Sequence, residues 1–257
     1  MLMMIPKCHI ISLETVVNGN SLKLGAKEFV DALNFHHIPF VILSEHCNKT
    51  RSQLIEFFTS LGIEGIGEGN IYTSSMAAID WVINKAPHIT KVSYIGGIGM
   101  KEAIQKANYL IDDLNPEVVF VGMNRNMTFH EYSDMLYCIE NAEYFISTDN
   151  RYRQIVEGDA IIGNQAVVKM LETASKKKAM SFGRGSEIFL HMTLRYLGLN
   201  RDDVVCIGSK FSKDIIPAHN THIDTVYVAE GSGVVGLGKN EGVHPTYLVE
   251  DLYGLTI

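Results

Sequence analysis

Four stretches of the chain bring hydroxyl, carboxylate and guanidinium groups to points where an apolar run gives way to polar residues. Ser12-Leu13-Glu14 leaves the run Cys8 to Ser12, and Ser44-Glu45-His46 leaves Phe40 to Ser44. Arg184 sits in the turn Gly183-Arg184-Gly185, and Gly208-Ser209, followed by Asp214, leaves Val204 to Ile207. Hydroxyls and a guanidinium suit an anionic phosphate, which they hold through charge-assisted hydrogen bonds. Carboxylates at the same place suit proton transfer or a hard divalent cation. His9, His46 and Cys47 lie nearby and suggest a replacement nucleophile or a zinc site. Against this, alternation along a strand turns His9 away from Ile10, and a lone histidine is more often a structural group.

Two glycine-rich loops invite a dinucleotide reading and fail it. Tyr94 to Glu102 has the outline of a strand, a glycine turn and a helix, but Glu102 stands where the third glycine of the fingerprint belongs. Gly231-Ser232-Gly233-Val234-Val235-Gly236 fits G-x-G-x-x-G, yet Gly238, Gly242 and Pro245 follow and forbid the helix whose N-terminus would face a pyrophosphate.

The elements that must position these groups are short β-branched runs alternating with helical spacings. Strands are expected at Cys8 to Ser12, Phe40 to Ser44, Val92 to Ile95, Val118 to Val121, Tyr144 to Ser147, Val204 to Ile207 and Thr225 to Val228. Helices are expected at Ala26 to Phe35, Arg51 to Leu61, Lys101 to Leu110, Tyr132 to Asn141, Gln165 to Ala174 and Glu187 to Leu197. This alternation predicts a parallel α/β fold with both sheet faces covered, and in such sheets ligands bind at the carboxyl ends of the strands. Gly65 to Asn70 and Asp149 to Gly163 are the candidate hinges of an inserted domain.

Composition narrows the function classes. The 257 residues are 46% hydrophobic with 6 prolines, so a packed core is expected. A net charge of −7 argues against nucleic acid as the main partner. No apolar stretch is long enough for a membrane span and the first residues lack the pattern of a secretory signal, so a soluble, cytoplasmic protein is expected. Cys8, Cys47, Cys138 and Cys206 are scattered and read as reduced core thiols.

In order, spacing and strand context the four motifs resemble those of the haloacid dehalogenase-like (HAD) phosphatases. The resemblance is to the subclass IIA branch, which includes nucleotide and para-nitrophenyl phosphate phosphatases. It runs end to end and takes in Glu117 to Gly122, Phe145 to Asn150 and Gly158 to Gly163. It implies a doubly wound, Rossmann-like parallel-sheet core of residues 1–70 plus 181–257, with an α/β cap of residues 71–180 inserted. It further implies a small phosphorylated ligand between core and cap, magnesium as cofactor, no membrane partner, and a homodimer through the cap. Carried over residue by residue, it puts Ser12, Glu14, Ser44, Arg184 and Asp214 at catalytic positions. Ser44, Glu45, His46 and Arg184 stand at substrate-binding positions, with Asn124, Arg125, Asn150 and Arg151 on cap loops. Asp214, Ser209, Ser12 and Glu14 stand at metal positions.

The departures from that pattern matter most. Family members attack the phosphate with an aspartate that opens a DxD motif, whose second aspartate is the acid and base; here these are Ser12 and Glu14. An unactivated serine is a poor nucleophile and adds no charge to a magnesium site. The fourth motif normally reads GDxxxxD, and its first aspartate is Ser209. Magnesium binding is therefore expected to be weak or absent. The expectation is a pseudo-phosphatase that binds a small phosphorylated metabolite, with hydrolysis weak or lost. One alternative is a slow metal-dependent phosphate-monoester hydrolase using Glu14 and Asp214. Another is a non-catalytic interaction or regulatory protein in which Ser12 and Ser209 are fillers and Asp214 caps a helix.

Overall fold

A computed structural model describes residues 6–156, 158–230 and 242–255, so the Gly231 to Gly236 loop lies outside the described residues. The chain divides into two units. The first is Met1–Ser44, Arg51–Tyr72 and Gly185–Ile257; the second is Glu45–Thr50 and Thr73–Arg184.

The first unit is organised by the strand Cys8–Ser12, which lies between Val204–Gly208 and Phe40–Ser44 and runs parallel to both. The sheet order is Tyr247–Val249, Asp224–Val228, Val204–Gly208, Cys8–Ser12, Phe40–Ser44, Ile71–Thr73. Ile10, Ile11, Val41, Ile42 and Ile207 are all buried, as strands covered on both faces require. The helix Ala26–Phe35 packs through Ala26, Phe29, Val30 and Leu33, one stripe at helical spacing. Register sets the site. Ile11 pairs with Ile207 and Ser12 with Leu43, so Ser12, Ser44 and Ser209 all leave the sheet at one edge, the carboxyl ends of its strands.

The second unit has its own parallel sheet in the order Met180–Ser181, Tyr144–Ser147, Val118–Val121, Lys91–Ile95, Leu110–Ile111. Val118, Val119, Phe120 and Val121 are wholly buried at its centre. Helices Ser74–Lys85, Ile98–Lys106, Phe129–Asn141 and Asn164–Ser175 accompany it. Both sheets accord with the expected parallel α/β class.

Local boundaries differ from the sequence reading for identifiable reasons. The helix expected at Lys101 to Leu110 runs Ile98–Lys106, because Asn108 adopts a left-handed conformation (φ 59°) and Leu110 opens a strand. The helix expected from Tyr132 begins at Phe129, where Thr128 and Glu131 form a reciprocal capping box. Asp149 to Gly163, expected as a hinge, contains an antiparallel hairpin, Arg153–Val156 with Asp159–Ile162. Residues 45–50 pack with the second unit, whereas the sequence groups them with residues 1–70. The Gly96 to Gly99 turn explains why. The Met100 amide donates to the Cys47 carbonyl at 3.0 Å, and a Cβ on Gly97 or Gly99 would lie 2.5 Å from Asn48 Cα or 2.0 Å from the Lys49 carbonyl oxygen. These glycines admit the chain's own backbone.

Two stability predictions follow from this packing. Gly99→Ala forces backbone against backbone and is expected to cost about 1–3 kcal/mol, read as a lower urea midpoint with unchanged slope. His9 has a fully buried Nδ1 with no hydrogen-bond partner, and burial lowers its pKa from 6.5 to about 4. Because the unfolded chain takes up this proton first, the stability is complete above pH 6.5 and is lost as the pH falls towards 4. Urea midpoints measured across that range should decline in the wild type and flatten in His9→Phe.

Candidate functional site

At the carboxyl edge of the first sheet, side chains converge from three segments far apart in sequence. Ser12 closes the central strand and its Oγ donates to Glu14 Oε2 at 3.3 Å. Ser209 follows the strand Val204–Gly208; its Oγ donates to the Glu14 backbone carbonyl at 3.2 Å and accepts from Lys23 Nζ at 3.1 Å. The same ammonium forms an ion pair with Glu230. Asp214 packs directly on Gly208, where any Cβ would fall 2.1 Å from Asp214 Cβ, and its Oδ2 accepts from the Lys210 amide at 2.9 Å. Only glycine tolerates that approach, which holds the loop Ser209 to Asp214 against the strand end. Ser44 is buried at the end of the neighbouring strand.

Whether these groups suit a magnesium ion is a question of donor chemistry. A hard divalent cation is held by several oxygens, carboxylates above all. Ser209 offers a hydroxyl whose proton is committed to the Glu14 carbonyl and one of whose two lone pairs is committed to an ammonium. A metal at Ser209 would face the positive charge of Lys23 at short range. Among the described residues no three His, Cys, Asp or Glu side chains are grouped to hold a metal. The residues present do not fit magnesium.

The other expected site residues lie in the second unit, and several bind one another. Glu45, 2% exposed, accepts the backbone amides of Asn150 at 3.1 Å and Arg184 at 3.0 Å through Oε2. Arg151 Nε lies 3.3 Å from Glu45 Oε1, and its guanidinium is also paired with Asp149, whose side chain is fully buried. Asn150 accepts from Ser181 Oγ at 2.6 Å and donates to the Arg184 carbonyl at 3.3 Å. Asn124 stands apart, closing a local turn by accepting the Asn126 amide at 3.0 Å, and Arg125 lies against Gln154. His46 is half-buried beside Cys47. Burial pushes the Cys47 thiol up, and its Sγ donates to the Met123 carbonyl at 3.4 Å, so it has no character of a nucleophile.

Sequence reasoning missed Lys23 and Glu230. Lys23 is 186 positions from Ser209 and 207 from Glu230, so no local pattern marks it. Asp149 fell inside a candidate loop, but its pairing with Arg151 was not foreseen.

Comparison with known proteins agrees with this architecture. A family model described as haloacid dehalogenase-like hydrolase matches residues 14–110, and a second, HAD-hydrolase-like model matches residues 181–255. The chain belongs to the haloacid dehalogenase-like superfamily. Within it, the fold is that of the subclass IIA phosphatases of NPPase and NagD type. NagD from Escherichia coli K-12 superposes with a TM-score of 0.88 at 21% identity, over 99% of both chains. A single-mutant thermostable NPPase from Geobacillus stearothermophilus superposes with a TM-score of 0.86 at 25% identity, over 97% of this chain and 98% of that one. In sequence, an acid sugar phosphatase of Staphylococcus aureus is 27% identical over 248 residues, 96% of this chain and 95% of the relative.

The buried ion cluster of the second unit yields a stability prediction. Arg151→Met leaves two buried carboxylates without their cation and is expected to cost about 3–5 kcal/mol. The doubly altered Arg151→Met, Asp149→Leu chain should recover part of that loss in the same denaturation experiment.

Proposed function

We propose that this chain binds a small phosphorylated molecule at the carboxyl edge of its first sheet and has weak or no power to hydrolyse it. The observation that carries this reading is the side-chain set at that edge. The position at which family members carry the attacking aspartate is Ser12, a second carboxylate position is Ser209, and Ser209 is engaged by an ammonium. Ser44 remains as the phosphate-facing hydroxyl that the family pattern assigns. Loss of a nucleophile typically costs orders of magnitude in rate, while binding through hydroxyls, amides and cations persists. The sugar phosphatase relative points to sugar phosphates as the first ligands to try.

One specific observation favours a second reading, slow hydrolysis. Ser12 Oγ donates to Glu14 Oε2, and a hydroxyl beside a carboxylate is the arrangement by which a serine nucleophile is activated.

A panel of para-nitrophenyl phosphate, sugar phosphates and nucleotides separates the readings. The wild type is expected to show a ligand-dependent rise in melting temperature with no phosphate release, in magnesium or in EDTA. Ser44→Ala should abolish the rise. Ser12→Asp with Ser209→Asp should gain magnesium-dependent release. Wild-type turnover at ordinary enzyme rates, about 1 s⁻¹ or more, overturns the first reading. Slower turnover that disappears in both Ser12→Ala and Glu14→Gln supports the second reading.

A further inference from the structure

Lys23 is the one cation-bearing side chain that the described contacts bring onto Ser209. It follows the short hairpin Val17–Asn18 with Ser21–Leu22, and its backbone amide donates to the Val16 carbonyl at 2.9 Å, which fixes where the side chain starts. The side chain is 15% exposed, and its ammonium contacts Ser209 Oγ and the Glu230 carboxylate. Ser209 passes the contact on to the peptide carbonyl of Glu14, whose carboxylate receives Ser12. A hydrogen-bonded path therefore runs from Lys23 through Ser209 to the backbone carbonyl of Glu14. Lys23 also lines a cavity of about 440 Å³ with Thr15, Asn18 and Glu230, and the fully buried Thr15 carries a hydroxyl with no hydrogen-bond partner.

We propose that Lys23 is the resident cation of this site: tethered by Ser209 and Glu230, it excludes divalent metal and makes anion binding there independent of magnesium. The physical basis is charge. An ammonium held at hydrogen-bond distance from Ser209 repels a divalent ion brought to the same oxygen, and at this part-buried edge that repulsion opposes what one hydroxyl and two carboxylates offer. The ammonium also balances part of the negative charge of Glu14, Asp214 and Glu230, which leaves the edge tolerant of an incoming phosphate. The inference rests on the phosphate-binding reading for its second half only; the exclusion of metal stands on the Lys23 contacts.

Two titrations test the halves separately. In the first, magnesium is titrated by calorimetry into the Ser12→Asp chain, which keeps the Ser209 tether, with and without Lys23→Met, a change that keeps the stem and removes the charge. At least tenfold tighter magnesium binding with Lys23→Met is expected, and Lys23→Arg should restore the weak binding. Equal affinities with methionine and lysine overturn the proposal. In the second, inorganic phosphate is titrated into the otherwise wild-type chain in EDTA and in magnesium. Equal affinity in both, with a loss of at least fivefold in Lys23→Met, is expected. Phosphate binding that requires magnesium overturns the inference and leaves the phosphate reading intact. An absence of phosphate binding under both conditions sinks the phosphate reading, and the magnesium titration then decides whether Lys23 excludes metal.

Discussion

The parallel register of Cys8–Ser12 between its two neighbours is the constraint on which the first unit depends. A slip of a parallel ladder by one residue would exchange the side chains packed on the two faces, each fitted to a different neighbouring layer. With Ile10 locked opposite Cys206 and Val41, the three strands end together, and whatever follows them is delivered to one edge. Ser12, Ser44 and Ser209 are neighbours for that reason and for no local one. Gly208 extends the effect: by admitting Asp214 against the strand end it folds the loop back, so that Ser209 turns towards Glu14.

Once those positions are set, their chemistry follows from charge. A carboxylate-rich edge needs a cation, since like charges a few ångströms apart in a partly buried place destabilise one another. In this chain two of the positions are hydroxyls, and a lysine from a distant hairpin reaches one of them. Hydroxyls both donate and accept, so they link into a chain of hydrogen bonds where carboxylates could only accept. Lys23 to Ser209 to the Glu14 carbonyl forms such a chain, and Ser12 donates separately to the Glu14 carboxylate. The edge is held by the protein's own groups.

The parallel α/β class was legible because strand burial and helix amphipathicity are local signals. The helix Glu187–Leu197 shows its apolar spacing in eleven consecutive residues, and Phe40–Ser44 is a bare apolar run. The four motifs at the strand ends were legible for the same reason. What was not legible depended on contacts across the fold. Residues 45–50 carry no mark of their allegiance; only the backbone approach permitted by Gly97 and Gly99 decides it. Arg151 reads as a ligand-binding guanidinium in sequence; Asp149 lies only two positions away, but the contact with Glu45 becomes visible only when segments about a hundred residues apart meet. Lys23 is the extreme case, a residue just after a hairpin whose partner arrives with the far end of the chain.

The two carboxylate pockets show opposite solutions to one problem. In the second unit Asp149 and Glu45 are buried, and their charge is met by a planar guanidinium and by backbone amides, a rigid arrangement whose members satisfy one another. In the first unit the charge at the strand ends is lowered at its source, by serine at two positions, and the Lys23 ammonium reaches one of them. A site built the first way is structural, because moving any member strands a buried charge. A site built the second way keeps hydroxyls and a cation near a cavity at little cost in buried charge, the condition under which an incoming anion can be accommodated. Stability and chemistry trade against each other at such edges. Serine at positions 12 and 209 lowers the negative charge of the edge and with it the need for a metal to hold the edge together.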